Sequence, residues 1–297
     1  MNKPLIQIAT PDSAREIADH AKRLLRAAGV GALLPTPKSQ ILEYARLVEL
    51  GQIDLSEYED SFLDKATDFF HKAMSKVLGF LDRKSETVYV DPALPDSRKL
   101  FVTYHEVTHR ILPWQNITYT EDEESTLSVE CGNVFEAEAN FGAAEILFQC
   151  ERFEQEARDY EVSVESAIHL GSRYDASCHS ALRRFVERNH RPCLLLVLKQ
   201  TSRQHPEGQS SFYVAYSIPS TPFTMQFGDP LQLEFINPDH EIGKILNDGF
   251  QGEIALQDLK GFRRPCIVQG FCNRYRTFVL IRPKDLRPAR RTVLFSN

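Results

Sequence analysis

The chemically distinctive stretch of this 297-residue chain is His105-Glu106-Val107-Thr108-His109. On a helix, positions i and i+4 share a face, so His105 and His109 can ligate one metal ion. Glu106 is rotated away from both, toward the place where a metal-activated water would sit. Zinc lowers the pKa of such a water toward about 7, and a carboxylate beside it can take the proton and pass it on. The flanking Leu100, Phe101, Val102, Ile111 and Leu112 make this a buried helix. Polar groups on a buried helix are costly unless something binds them. With nine His and 24 Glu in the chain, a chance occurrence has an expectation of only about 0.02.

A hydrolytic zinc site takes three protein ligands and keeps a fourth position open. The stretch Phe135-Glu136-Ala137-Glu138-Ala139-Asn140-Phe141-Gly142-Ala143-Ala144-Glu145 offers candidates for the third. Glu136 and Asn140 stand at i and i+4 and share a face, while Ala139, Ala143 and Ala144 let a neighbouring helix approach closely. Glu138 falls on another face and reads as solvated. Cys131 lies five residues before Glu136. It is a candidate for zinc's fourth position, against its ordinary reading as a small core residue.

Several elements must hold these groups. Thr10-Pro11-Asp12 and Thr36-Pro37 each read as an N-cap followed by proline at the first helical position. The first helix carries Ile17, Ala21, Leu24, Leu25 and Ala28 and ends at Gly29 or Gly31; the second carries Ile41, Leu42, Tyr44, Ala45 and Val48. Residues 61–82 have the spacing of a third helix. Thr87-Val88-Tyr89-Val90 reads as a short strand, followed by a proline-punctuated loop and the motif helix, capped by Asp96 or Ser97. An unpaired edge there could accept an extended substrate peptide, so Thr87, Val88, Tyr89 and Val90 are candidate substrate-binding residues, with an interior strand as the alternative. A long helix is expected from about Gly132 to about Tyr160. Two more follow, capped by Ser163 and Ser177 and separated by a turn at Tyr174-Asp175-Ala176. From Pro192 short apolar runs alternate with turn residues, the pattern of a sheet-rich segment with one helix near His240–Asn247.

The combination Arg98…Phe101…His105-Glu106-x-x-His109, followed by Glu136-x-x-x-Asn140-Phe-Gly-Ala-Ala-Glu145-Ile-Leu, resembles the ImmA/IrrE family of zinc metallopeptidases over roughly residues 60–190. Phe148-Gln149 departs from the Met-Pro often found there, at a helix end and away from the metal site. The resemblance implies zinc ligands His105, His109 and Glu136, with Glu106 as general base. It implies an α+β chain in three parts. These are a mainly helical zincin-like metallopeptidase domain with a short edge sheet (1–160), a helix–turn–helix-like segment (161–190) and a C-terminal sheet-rich, GAF-like sensor domain (191–297). It further implies a partner repressor of the helix–turn–helix type as substrate. Cleavage would derepress DNA-damage, mobile-element or antiphage genes, as in CBASS operons. The oxyanion donor stays open among Tyr104, Tyr119, Arg173 and Tyr174.

Composition bounds these readings. With 42% hydrophobic and 26% charged residues, the chain is neither disordered nor collagen-like nor a pure coiled coil. The longest clean apolar run is Cys193–Leu198, far short of the roughly 18 residues of a membrane span. The N-terminus lacks a signal-peptide h-region, so a cytoplasmic protein without membrane partners is expected. Six cysteines without a CxxC pair read as free thiols, with Cys266 and Cys272 buried on one face of a strand. The net charge of −6 hides an asymmetry: residues 260–291 carry ten basic groups opposed by Asp285 alone. Arg263, Arg264, Arg274, Arg276, Arg282 and Arg290, interleaved with Phe271, Tyr275 and Phe278, are candidate nucleic-acid-binding residues for single-stranded DNA as an activator. The bland reading is a solvated face or one docked on acidic residues. Ser177, His179, Arg183 and Arg184 could read DNA, although a structural role suits their mixed surroundings better. The rival to a peptidase is a ligand- or DNA-sensing transcription regulator whose zinc site is structural or vestigial.

Overall fold

A computed structural model describes residues 11–50, 79–116, 129–201, 209–228 and 233–293. It is a mixed helix-and-sheet chain that divides into two compact units, Thr10–Glu151 with Arg173–Ala176, and Arg152–Ser172 with Ser177–Asn297. The six cysteines are free.

In the first unit, α1 (Ala14–Ala27) buries Ile17, Ala21, Leu24 and Leu25, the stripe that its spacing predicts. Gly29 ends it with φ of +69°, a conformation that costs glycine little. Ser13, rather than Thr10, precedes the helix, and its hydroxyl is spent on Glu138 instead of a cap. In α2 (Lys38–Ala45) the expected Thr36 cap is likewise absent, because the Thr36 hydroxyl donates to the Ile146 carbonyl at 3.3 Å.

Three strands follow: β1 (Val48–Leu50), β2 (Gly79–Asp82) and β3 (Thr87–Val90). Their order is β1-β3-β2, with β1 parallel and β2 antiparallel to β3. The edge reading of Thr87, Val88, Tyr89 and Val90 is therefore corrected. The strand is interior, its backbone pairs on both sides, and it offers no free edge to a peptide. The expected helix over 61–82 is also corrected at its end. Residues 79–82 form β2, because Asp82 turns the chain back by accepting from the Lys84 amide at 2.9 Å. Residues 61–78 lie outside the described residues.

The motif helix is α3 (Asp96–Ile111), preceded by Pro95 rather than capped by Asp96 or Ser97. It packs against α4 (Val129–Leu147), which also packs against α1. The continuous helix expected to about Tyr160 breaks at Gln149 and Cys150, both with positive φ. The break is held by the Gln149 side chain, which donates to the Leu33 carbonyl at 2.6 Å and to the Thr36 hydroxyl at 3.1 Å.

The second unit begins with α5 (Arg152–Ala157), α6 (Val164–Ser172) and α7 (Cys178–Glu187). Ser163 and Ser177 cap α6 and α7 by accepting from the Ser166 and Ser180 amides. The strands are β4 (Leu194–Gln200), β5 (Phe212–Pro219), β6 (Phe235–Ile236), β7 (Gln251–Gln257), β8 (Arg263–Cys272) and β9 (Thr277–Pro283). They form one antiparallel sheet in the order β6-β5-β4-β9-β8-β7. The central β4 is buried from Leu194 to Leu198, which explains its unbroken apolar run. One sheet face packs Leu194, Leu196, Val268 and Val279 against Phe223 of α8 (Thr221–Phe227) and Ile242 and Leu246 of α9 (Glu241–Asn247). Helix α8 was not expected, although Ser220-Thr221-Pro222 is a start signal: Ser220 accepts from the Phe223 amide at 3.2 Å. On the other face, the α7 residue His179 bonds the Tyr216 hydroxyl of β5 and stacks near Phe278 of β9. Cys266 is buried, whereas Cys272, at the strand end where cover runs out, is exposed.

Candidate metal centre

Helices α3 and α4 bring the sequence candidates to one point. The His105 and His109 Nε2 atoms are 3.1 Å apart. Glu136 places Oε2 3.2 Å from His105 Nε2 and Oε1 3.5 Å from His109 Nε2. Four ligands around zinc at about 2.0–2.1 Å put neighbouring donors roughly 3.3 Å apart. The three separations bracket that edge, so the donor set fits zinc in spacing and in chemistry. Among the described residues these three are the group of potential metal ligands found together. Cys131 is half-buried and not among them.

The electrostatics are those of a site built for positive charge. Burial alone would raise the Glu136 carboxyl, but the two histidines bonded to it hold it well below the usual carboxylate range. Burial alone would lower His105, but the Glu136 hydrogen bond and the Glu106 charge raise it above an ordinary histidine. Glu106 is buried beside this group, and burial raises its carboxyl while both histidines pull the other way. A buried carboxyl raised in this way suits a base that must also return its proton.

Hydrogen bonds orient both imidazoles. His105 Nδ1 meets Asn140 Oδ1 at 3.2 Å, from the face that Asn140 shares with Glu136. His109 Nδ1 meets Gln115 Oε1 at 2.7 Å, and Gln115 Nε2 donates to Glu138 at 2.6 Å. Glu138 is therefore not solvated. It is 5% exposed and accepts also from Trp114 and Ser13. The sequence reading missed Gln115 and Glu138, because Gln115 lies in a further helical stretch past α3 and only the folded chain returns it to His109. It also missed Arg83, which follows β2, bonds Asn116 at 2.6 Å and acts on the Glu106 charge.

Of the candidate oxyanion donors, Tyr104 is committed elsewhere: it is fully buried and its hydroxyl donates to the Thr36 carbonyl at 2.8 Å. Tyr174 is fully buried and packs on Phe148. Tyr119 lies outside the described residues.

The basic tail does not form one patch. Arg264 pairs with Asp258 at 2.9 Å, Arg282 with Glu161 at 2.6 Å and Arg290 with Asp159 at 3.4 Å. Arg263 starts β8, whereas Arg274 and Arg276 lie past its end, and about nine residues of strand separate such positions by roughly 30 Å. In α7, Arg184 is 5% exposed and paired with Glu154 at 2.7 Å, and His179 faces the sheet. Neither presents itself to DNA.

No helix among the described residues is long and apolar enough to cross a membrane. A comparison with curated proteins found no match. Among solved structures the chain is similar to a Mycobacterium tuberculosis transcriptional regulator, at 12% identity and a TM-score of 0.50, over 90% of this chain and 75% of the other. That likeness concerns the fold alone. Residues 56–186, which contain His105, Glu106, His109 and Glu136, match the family described as Peptidase_M78: IrrE N-terminal-like domain, and this match supports the ImmA/IrrE family for that part of the chain.

Proposed function

We propose that this chain is a cytoplasmic zinc-dependent endopeptidase that cleaves a partner repressor of the helix–turn–helix type in response to a stress signal. DNA damage or phage infection would be that signal, and cleavage would derepress stress or defence genes. The observation that carries the reading is the convergence of His105, His109 and Glu136 beside the buried Glu106. The three ligands would hold zinc, which when bound supplies a Lewis acid for the peptide carbonyl and acidifies a water. The Glu106 carboxylate would be the group placed to accept a proton from the attacking water and to return it to the leaving amide nitrogen. Burial of Glu106 excludes competing solvent and keeps the proton at hand. An extended peptide would add to the outer strand β2 rather than to β3, because β2 is an outer strand of the sheet among the described residues.

The second unit suits a GAF-like sensor: an antiparallel sheet with α8 and α9 packed over one face. Single-stranded DNA as activator would draw on Arg274, Tyr275 and Arg276, exposed or half-buried at the β8–β9 turn. The competing reading is a ligand- or DNA-sensing transcription regulator with a structural or vestigial zinc site; the structural neighbour is itself described as a transcriptional regulator.

The deciding experiment combines metal content with Glu106→Gln. About one zinc per chain, retained in Glu106→Gln but lost in His105→Ala and Glu136→Ala, with cleavage abolished in all three, is expected of the peptidase. Operator binding by the chain alone in a gel shift, with no cleavage of any co-encoded repressor, would overturn it in favour of the regulator.

A further inference from the structure

The orientation of one metal-facing imidazole is set from behind. A neutral imidazole has one N–H and one lone pair, and which nitrogen carries which is decided by its partners. Gln115 is fully buried and its Nε2 faces two oxygens, Glu138 Oε2 at 2.6 Å and the Phe135 carbonyl at 3.4 Å. Turning the amide over would set its oxygen against two acceptors, so the orientation is fixed. Gln115 Oε1 then faces His109 Nδ1 at 2.7 Å and can only accept. His109 must carry its proton on Nδ1 and its lone pair on Nε2, the nitrogen 3.5 Å from Glu136.

The Glu138 carboxylate is itself held. Ser13 Oγ donates to Oε1 at 2.5 Å and Trp114 Nε1 donates to Oε2 at 2.9 Å. It is a buried acceptor satisfied by neutral donors from the residue before α1 and from the helical stretch after α3. His105 differs: its partner Asn140 is exposed, and among the described residues no comparable contact fixes that amide.

We propose that Gln115 and Glu138 are positioning residues that lock His109 in the Nδ1–H tautomer and so present its Nε2 to the metal. The proposal rests on the metal-centre reading above, but the tautomer exists without metal and is measured without it. Chains bearing 15N-labelled histidine, stripped of metal and held at mildly alkaline pH, report each ring's tautomer through long-range 1H–15N correlations. His109 is identified by its loss in His109→Gln. Wild type should show Nδ1–H for His109, and Gln115→Met, of similar volume, should release it to a mixture rich in Nε2–H. Zinc affinity, read by competition with a chromophoric chelator, should fall about 10–100-fold in Gln115→Met, with an unchanged circular dichroism spectrum. If Gln115→Met fails to fold, Glu138→Met takes its place, because it removes the acceptor that fixes the Gln115 amide. An Nε2–H tautomer for His109 in wild type, or an unmoved tautomer and zinc affinity in the variants, would overturn the relay. A locked tautomer in a wild type that binds no zinc would leave the relay standing and overturn the peptidase reading.

Discussion

The contact between α3 and α4 sets how far apart the candidate metal ligands stand, and Gly142 is where it can be tested. A Cβ added there would lie 2.3 Å from Thr108 Cγ2, 2.9 Å from Thr108 Oγ1 and 3.1 Å from Ile17 Cγ2, where ordinary contact begins at 3.4 Å. Gly142→Ala therefore requires about 1 Å of separation between α4 and a residue adjacent to His109. Overpacking of this kind costs about 1–3 kcal/mol, and replacing a helical glycine by alanine returns about 1 kcal/mol. A net loss of about 0–2 kcal/mol corresponds to a melting temperature lower by up to about 8 °C. Zinc affinity should suffer more than stability, because the same movement parts His105 and His109 from Glu136. The assay is thermal melting by circular dichroism beside chelator competition, on wild type, Gly142→Ala, Thr108→Ala and the double variant. Thr108→Ala removes the two nearest obstructing atoms, so the double variant should regain much of the loss and the two changes should be strongly non-additive. Gly142→Ala that melts at or above wild type with unchanged zinc affinity, or two changes that simply add, would refute this account of the contact.

Two further outcomes follow from named contacts. Trp114 is the sole tryptophan and donates to Glu138, which is linked through Gln115 to His109. Zinc added to the metal-free protein should change its emission on excitation at the red edge of the tryptophan band, reversibly with chelator; a flat titration with zinc bound would count against that linkage. In the second unit, burial and then the charges of Arg183 and Arg276 lower the His179 imidazole below its ordinary value of 6.5. The unfolded chain then takes up a proton that the folded chain refuses, so stability is full above that value and falls as pH drops below it. The slope can reach about 1.4 kcal/mol per pH unit. Urea unfolding from pH 7 to pH 5.5 should show a shallower fall in His179→Gln than in wild type, and equal slopes would exclude this role.

The chemistry of the first unit was legible because it is local. HExxH needs only the 3.6-residue period to set His105 and His109 on one face, and Glu136 and Asn140 follow the same rule on α4. Apolar runs likewise located the strands from β4 to β9, because a buried sheet requires them at period two or in unbroken stretches. The failures were contacts distant in sequence. Whether β3 is an edge depends on β1, which pairs with it in parallel register from 39 residues upstream, and no pattern within Thr87–Val90 encodes that neighbour. Glu138 looks solvated by helical phase alone, yet Ser13, Trp114 and Gln115 converge on it from other elements. The basic tail reads as one cluster along the chain, but β8 carries Arg263 and Arg276 to opposite ends of a strand, and acidic residues claim three of the arginines. The sequence by itself determined the ligand types and their helical faces, since those follow from residue identity and short-range geometry. Tertiary structure decided which carboxylate meets the two histidines and which stands behind them, because burial and hydrogen bonding are properties of neighbours that only folding supplies.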